Sequence, residues 1–252
     1  MISIKTPREI ELMREAGLIV GDTHKYLIPY LKPGITTKEI DNLARKYILS
    51  RGATPSCYHY NGYPGNICIS VNDEVVHGIP GSRKLQDGDI VTLDICACFK
   101  GYHGDSAWTY AVGEISEDKK YLMEHTEKSL YKGLEQVHPG AHIGDIGEAV
   151  QTYAESHNLG VVKELVGHGI GTHLHEQPDV PNYGKKNTGP RLKKGMVIAV
   201  EPMLTLGSPN IYLDDNNWTV ITRDGKNAGH YEHTIAVTEN GYEILTGDIN
   251  NG

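Results

Sequence analysis

Over its 252 residues the sequence states one pattern twice, and that internal echo constrains the fold more than any single motif. Each half opens with a helical stretch. "TPREIELMREAGLIVGDTHKYLIPYL" offers Thr6 as N-cap, Pro7 at the first helical position and Glu9 to complete a capping box. In the second half Ser116 is placed to cap "EDKKYLMEHTEKSLYKGLEQV". Both stretches run into Pro-Gly stops, Pro33-Gly34 and Pro139-Gly140, and a second amphipathic helix follows each. Ile40, Leu43, Ala44, Tyr47 and Ile48 recur at helical spacing, as do Ile146, Ala149, Val150, Tyr153 and Ala154. Next come a His-Gly-Ile segment ("VVHGIPG", "VGHGIGTH"), a Gly-led apolar strand ending in an acid (Asp94, Glu201), and a strand with a second acid (Asp105, Glu232). The shared order predicts one α+β domain spanning 1–252, built from related halves of about 1–112 and 113–252, with helices on one side of a largely antiparallel sheet.

The segment "VTLDICACFKGYHGD" places two acids where a buried strand pair is expected. With Lys100-Gly101 as a two-residue hairpin turn, Phe99 pairs with Tyr102 and Asp94 falls opposite Ala107. Asp94 and Asp105 then share a face as diagonal neighbours, roughly 7–8 Å apart at the backbone. Buried carboxylates need a cation or a metal, and neither strand interior carries Lys or Arg, which favours a metal. Glu201, held extended by Pro202, and Glu232, on the opposite strand face from Tyr231 and His233, supply matching acids. His168 lies between Gly167 and Gly169, which permit close approach. Four carboxylates and one imidazole exceed what one divalent ion needs and suit two ions sharing bridging carboxylates.

Composition narrows the alternatives. Charged residues at 22% and hydrophobic residues at 38% are those of a soluble globular chain, and no apolar run reaches the roughly 18 residues of a membrane span. The N-terminus has no secretory-signal pattern, which predicts a cytoplasmic location. A net charge of -8 without a basic cluster argues against a nucleic-acid partner. Cys57, Cys68, Cys96 and Cys98 form no CxxC pair, so neither a zinc knuckle nor a disulfide framework is expected. Of the thirteen histidines, His24, His125, His138, His142 and His157 read as mostly solvated surface. His59, His103, His173, His230 and His233 are left open.

The order Asp94, Asp105, His168, Glu201, Glu232, set in "DICACFKGYHGD", "GHGIGTHLHE", "EPML" and "YEHT", resembles the five metal ligands of the type I methionine aminopeptidases. The resemblance covers essentially the whole chain. It implies the pita-bread fold, two divalent metal ions (Co, Mn, Fe(II) or Zn) and hydrolysis, by a metal-bridged water or hydroxide, of the bond after the initiator methionine. Substrates would be nascent chains and peptides with a small second residue. It also implies that His77 and His175 are non-ligand catalytic histidines and that Glu201 handles the proton. Cys57, Tyr60, Tyr63, Cys68, Leu174 and Trp218 would line the methionine pocket, beside His77 and His175. Leucine at 174 departs from a position where an aromatic residue is common, and so bears on pocket width. A monomer with transient ribosome contact completes the expectation.

Each residue alone has a plainer reading: a turn carboxylate for Asp94 or Asp105, a loop cap for Glu201, a tight-turn imidazole for His168, a core thiol for Cys57 or Cys68. Five in matched positions outweigh these. Two other functions compete: an Xaa-Pro aminopeptidase or dipeptidase, a group that usually carries a sizeable extra N-terminal domain, and a binding protein on the same fold, which would typically lose metal ligands.

Overall fold

The computed structural model describes residues 2–247 and residue 249, so the outermost residues of the expected 1–252 domain lie outside the described residues. Helix α1 (Pro7–Leu27) starts at the expected capping box: Glu9 accepts from the Thr6 N–H at 2.7 Å while the Thr6 hydroxyl accepts from the Glu9 N–H at 3.4 Å. Helix α2 (Thr37–Ser50) repeats the device with Thr36 and Glu39. Helix α3 (Glu117–Leu134) departs from expectation. Ser116 stands at the N-cap in extended conformation, but its hydroxyl donates to the Asp118 carboxylate and accepts from no helix N–H. Asp118 meets the helix start instead, accepting from the Lys119 N–H at 3.0 Å. Helix α4 (Ile143–Ser156) is capped from within by Asp145, which accepts from the His142 N–H at 2.7 Å.

In the first half, β1 (Cys68–Val71) and β3 (Tyr102–Ala111) flank β2 (Ile90–Phe99). The β2–β3 hairpin has the expected register, with Phe99 opposite Tyr102 and Asp94 opposite Ala107. Lys100 and Gly101 both have positive φ, 50° and 85°, as a type I′ turn requires. In the second half a five-stranded sheet gathers β4 (Gly167–Gly169), β5 (Glu176–Val180), β6 (Val197–Val200), β9 (His233–Val237) and β10 (Tyr242–Ile244), in the order β10–β9–β6–β4–β5. Between them in sequence, β7 (Met203–Thr205) pairs with β8 (Ala228–His230) in a separate small sheet. In both halves the strand leading to the first acid is central and antiparallel to its neighbours.

The two His-Gly-Ile segments, however, are not placed alike. His168 lies on β4, directly against β6, whereas the first-half strand in that position is β1. His77 sits one step further out, with the Gly78 carbonyl accepting from the Ile69 N–H of β1 at 2.9 Å. The recurring tripeptide is an echo in sequence that the strand topology does not repeat.

Helix α1 lies on the hairpin because glycines let the backbones meet. A Cβ on Gly104 would come within 2.7 Å of the Gly17 nitrogen. The apolar faces of α1 and α2 close over β2, with Val20, Leu27, Ile40, Ile48, Leu93 and Ile95 all buried. Each such side chain contributes about 1.5–3 kcal/mol by leaving water. His24 belongs to this interface and is not surface: it is fully buried, with Nε2 3.1 Å from the Ser106 carbonyl and Nδ1 3.0 Å from the Tyr110 hydroxyl. Its neighbours in sequence are polar, but the helical period turns this one position onto β3. No described helix is long and apolar enough to cross a membrane.

Candidate metal centre

The two halves meet where β3 runs beside residues 230–234, and side-chain hydroxyls join them. Thr234 accepts from the Asp105 N–H at 3.1 Å and donates to the Asp105 carbonyl at 2.8 Å. Ser106 donates to the Glu232 carbonyl at 2.6 Å, and the Glu232 N–H donates to the Ala107 carbonyl at 2.8 Å. Thr109 bonds both the N–H and the carbonyl of His230. Pairing through short hydroxyls satisfies buried backbone groups without a regular ladder, and it fixes Asp105 and Glu232 across the same seam.

Asp94, Asp105, His168, Glu201 and Glu232 all line one cavity of about 390 Å³. His77, His175, Cys57, Tyr60, Tyr63, Cys68, Leu174 and Trp218 line the same cavity, so every residue singled out in the sequence converges there. Glu201 sits just past the end of β6, and Asp94 lies opposite Cys68 of β1. His168 Nε2 is 3.8 Å from Asp105 Oδ2 and 3.6 Å from Glu201 Oε1. Its other nitrogen, Nδ1, lies 2.9 Å from the Gly169 carbonyl. That bond fixes the proton on Nδ1 and turns the Nε2 lone pair toward the carboxylates.

Among the described residues no Lys or Arg lines the cavity, so nothing offsets the cost of burying its acids. Burial pushes the Asp94 carboxyl up to about 6. Burial, then the neighbouring Asp94 charge, raises Asp105 well above the carboxylate range. Burial, then Asp105, does the same to Glu201 and Glu232. Burial drives His168 down to about 3, so its imidazole is neutral. Glu232 Oε1 is buried without any hydrogen-bond partner. Crowded like charges, an orphaned carboxylate oxygen and a neutral imidazole aimed at them are what a divalent cation would relieve. Oxygen atoms with one nitrogen suit hard or borderline ions. Asp105, His168 and Glu232 offer ligand atoms all within 4.8 Å of one another.

Beside the carboxylates, the apolar wall is formed by Cys57, Cys68, Tyr63 and Leu174, all buried, and by Trp218, whose ring meets Tyr63 edge-on at 5.1 Å. The Tyr63 hydroxyl donates to the Gly78 carbonyl at 2.7 Å, tying this wall to the segment that carries His77. His175 stands at the exposed rim, its Nδ1 2.7 Å from the Tyr60 hydroxyl.

Of the further residues that line the cavity, Cys96 and His230 lie beside the carboxylates and escaped the sequence reading. Cys96 Sγ lies 2.9 Å from Asp105 Oδ1 and 3.3 Å from Cys57 Sγ. His230 faces Glu201, with Nε2 3.8 Å from Oε2. Both were visible through strand period, since Cys96 is two residues from Asp94 and His230 two from Glu232. Of the other undecided histidines, His103 binds Ser56 Oγ at 2.8 Å and His233 binds Thr246 Oγ1 at 2.7 Å, while His59 and His173 are exposed.

Residues 11–239 match the model of metallopeptidase family M24. The chain is 57% identical over 246 residues to methionine aminopeptidase 1 of Bacillus subtilis, covering 98% of this chain and 99% of the relative. It is 48% identical over 246 residues to the methionine aminopeptidase of Clostridium perfringens, at 98% and 99% coverage. The crystal structure of methionine aminopeptidase from Rickettsia prowazekii superposes with a TM-score of 0.97 at 42% identity, over 98% of this chain and 100% of that one. A prolidase from Pyrococcus furiosus shares the fold alone, with a TM-score of 0.77 at 22% identity over 97% of this chain and 65% of the prolidase. The chain therefore belongs to metallopeptidase family M24, within its methionine aminopeptidases.

Proposed function

We propose that this metal-dependent aminopeptidase, which removes N-terminal methionine, works with two divalent ions held by Asp94, Asp105, His168, Glu201 and Glu232. The observation that carries the reading is the convergence of four carboxylates and a tautomer-fixed imidazole in a cavity that no described Lys or Arg lines. When bound, such ions polarise a scissile carbonyl and supply a nucleophile from water at neutral pH. Mn, Fe(II), Co and Zn all suit this donor set.

The chain's own residues do the rest. The wall of Cys57, Tyr60, Tyr63, Cys68, Leu174 and Trp218 takes the unbranched, apolar methionine side chain and excludes water around it. Glu201 carries the proton between nucleophile and leaving amine. His175 at the rim donates to the oxygen on which charge develops. His77, held beside the pocket wall by the Gly78 bond, contacts the peptide nitrogen on the leaving side. Because the cavity closes around the first residue and opens at His175, a small second residue fits best.

We read the two helix-plus-sheet halves as descendants of one duplicated unit, acting in the cytoplasm as a monomer that meets nascent chains at the ribosome. The competing dipeptidase and binding-module readings gain no specific support. The test is metal titration of chelated protein followed by turnover of Met-Ala-Ser and Met-Leu-Ser. Two equivalents bound and release of methionine chiefly from the alanine peptide are expected. One equivalent, or equal turnover of both peptides, contradicts the proposal.

A further inference from the structure

His230 is the least explained group in the cavity. It ends β8, where Met203 pairs with it, and Thr109 bonds both its backbone N–H and its carbonyl, so the residue is fixed at the seam between the halves. Its ring is buried, and neither Nδ1 nor Nε2 has a hydrogen-bond partner. A neutral imidazole carries one donor and one acceptor, and leaving either unmet in the interior is costly. Nor does a simple bond to Glu201 resolve the matter, because 3.8 Å is beyond hydrogen-bond length.

That separation is the one seen for His168, whose Nε2 is also 3.8 Å from its carboxylate neighbour Asp105. Glu201 thus stands between two imidazoles, Oε1 toward His168 at 3.6 Å and Oε2 toward His230 at 3.8 Å. Glu201, His230 and Glu232 present ligand atoms all within 4.8 Å of one another, as Asp105, His168 and Glu232 do, and Glu232 Oε1 is itself unpartnered. His230 and Glu232 flank Tyr231 at the break between β8 and β9, where the chain brings the ring and the carboxylate together.

We propose that His230 is a sixth protein ligand, binding through Nε2 an ion that Glu201 and Glu232 also hold. The inference rests on the reading of the cluster as a metal centre and adds a second imidazole to it. His230 is the weaker imidazole ligand of the two, because its Nδ1 lacks the carbonyl partner that orients His168. The softer nitrogen also tilts that position toward Co, Fe(II) or Zn and away from Mn.

Proton NMR of the protein loaded with two equivalents of Co(II) tests this without using activity. A cobalt-bound imidazole gives a strongly hyperfine-shifted, solvent-exchangeable ring N–H signal. Two such signals are expected in the wild type, with His230→Gln losing one and His168→Gln the other. In His230→Gln the affinity for the weaker-binding equivalent should fall at least tenfold, the lower end of what losing even an outer partner costs. A single shifted signal in the wild type, absent from His168→Gln, overturns the proposal and leaves the metal centre standing. No shifted signal and no cobalt uptake overturns the metal centre and the sixth ligand together. The wild-type count decides even where a variant folds poorly.

Discussion

The Tyr60 hydroxyl lies 2.7 Å from Nδ1 of His175, across the mouth of the cavity. The bond holds an otherwise exposed ring at the rim of the cavity and leaves Nε2 as the nitrogen free for the role proposed for His175 toward the scissile carbonyl. Tyr60→Phe keeps the apolar wall and removes the bond. The expected result is a fall in kcat of about tenfold, or about 1.4 kcal/mol of transition-state stabilisation, with KM nearly unchanged. Steady-state kinetics on Met-Ala-Ser checks it, and an unchanged kcat would show that His175 needs no such support.

Thr234 joins the halves at the proposed metal centre by bonding both the N–H and the carbonyl of Asp105. Thr234→Val conserves shape and leaves two buried backbone groups unpaired, so unfolding free energy should fall by about 2–4 kcal/mol. Metal affinity should fall with it, because Asp105 loses its anchor. Denaturant titration and calorimetry measure the two effects. A loss of stability with wild-type affinity would show that Asp105 is positioned by the hairpin alone.

His24 predicts a specific acid sensitivity. Burial lowers its pKa from 6.5 to about 4. Between those values the unfolded chain binds a proton at this ring and the folded chain does not. Its contribution is therefore fully present above pH 6.5, declines as pH falls below that value and is lost through about pH 4. The shift corresponds to something on the order of 3 kcal/mol. In His24→Gln that pH-dependent part disappears, so the stability gap between wild type and variant should narrow as pH is lowered from 7.5 to 4. A gap independent of pH would mean that the ring titrates normally.

Leu174 lines the cavity and is buried in one cluster with Cys57, Cys68 and Cys96. If this wall takes the methionine side chain as proposed, Leu174→Ala removes apolar surface from around it, which is worth about 1–3 kcal/mol of discrimination. kcat/KM for Met-Ala-Ser should drop roughly tenfold or more, while a bulkier N-terminal residue gains relative to methionine. Competition between methionyl and phenylalanyl peptides measures that ratio.

Much of this was legible in the sequence, for definable reasons. The Lys100-Gly101 turn fixed a hairpin register, and register fixed which side chains share a face, so Asp94 and Asp105 could be paired from residue types alone. The capping boxes at Thr6 and Thr36 are equally local. What failed depended on longer range. Ser116 lost its expected role to a nearer acid, Asp118. His24 was misjudged because burial depends on what packs against a helix rather than on its own neighbours. The two His-Gly-Ile segments matched in letters while strand order set them apart. The pocket residues came from family resemblance, since nothing local marks Tyr60 or Trp218 as facing Asp94.

The central claim is that buried carboxylates hold the ions that make this fold an aminopeptidase, and Asp105 sits at the middle of that cluster. The most direct measurement is methionine release from Met-Ala-Ser by chelated protein with Mn, Fe(II), Co or Zn added back, in parallel with Asp105→Asn. Release should depend on added metal and be abolished in the variant while its fold persists. Release that survives exhaustive chelation, or that Asp105→Asn leaves intact, would contradict it.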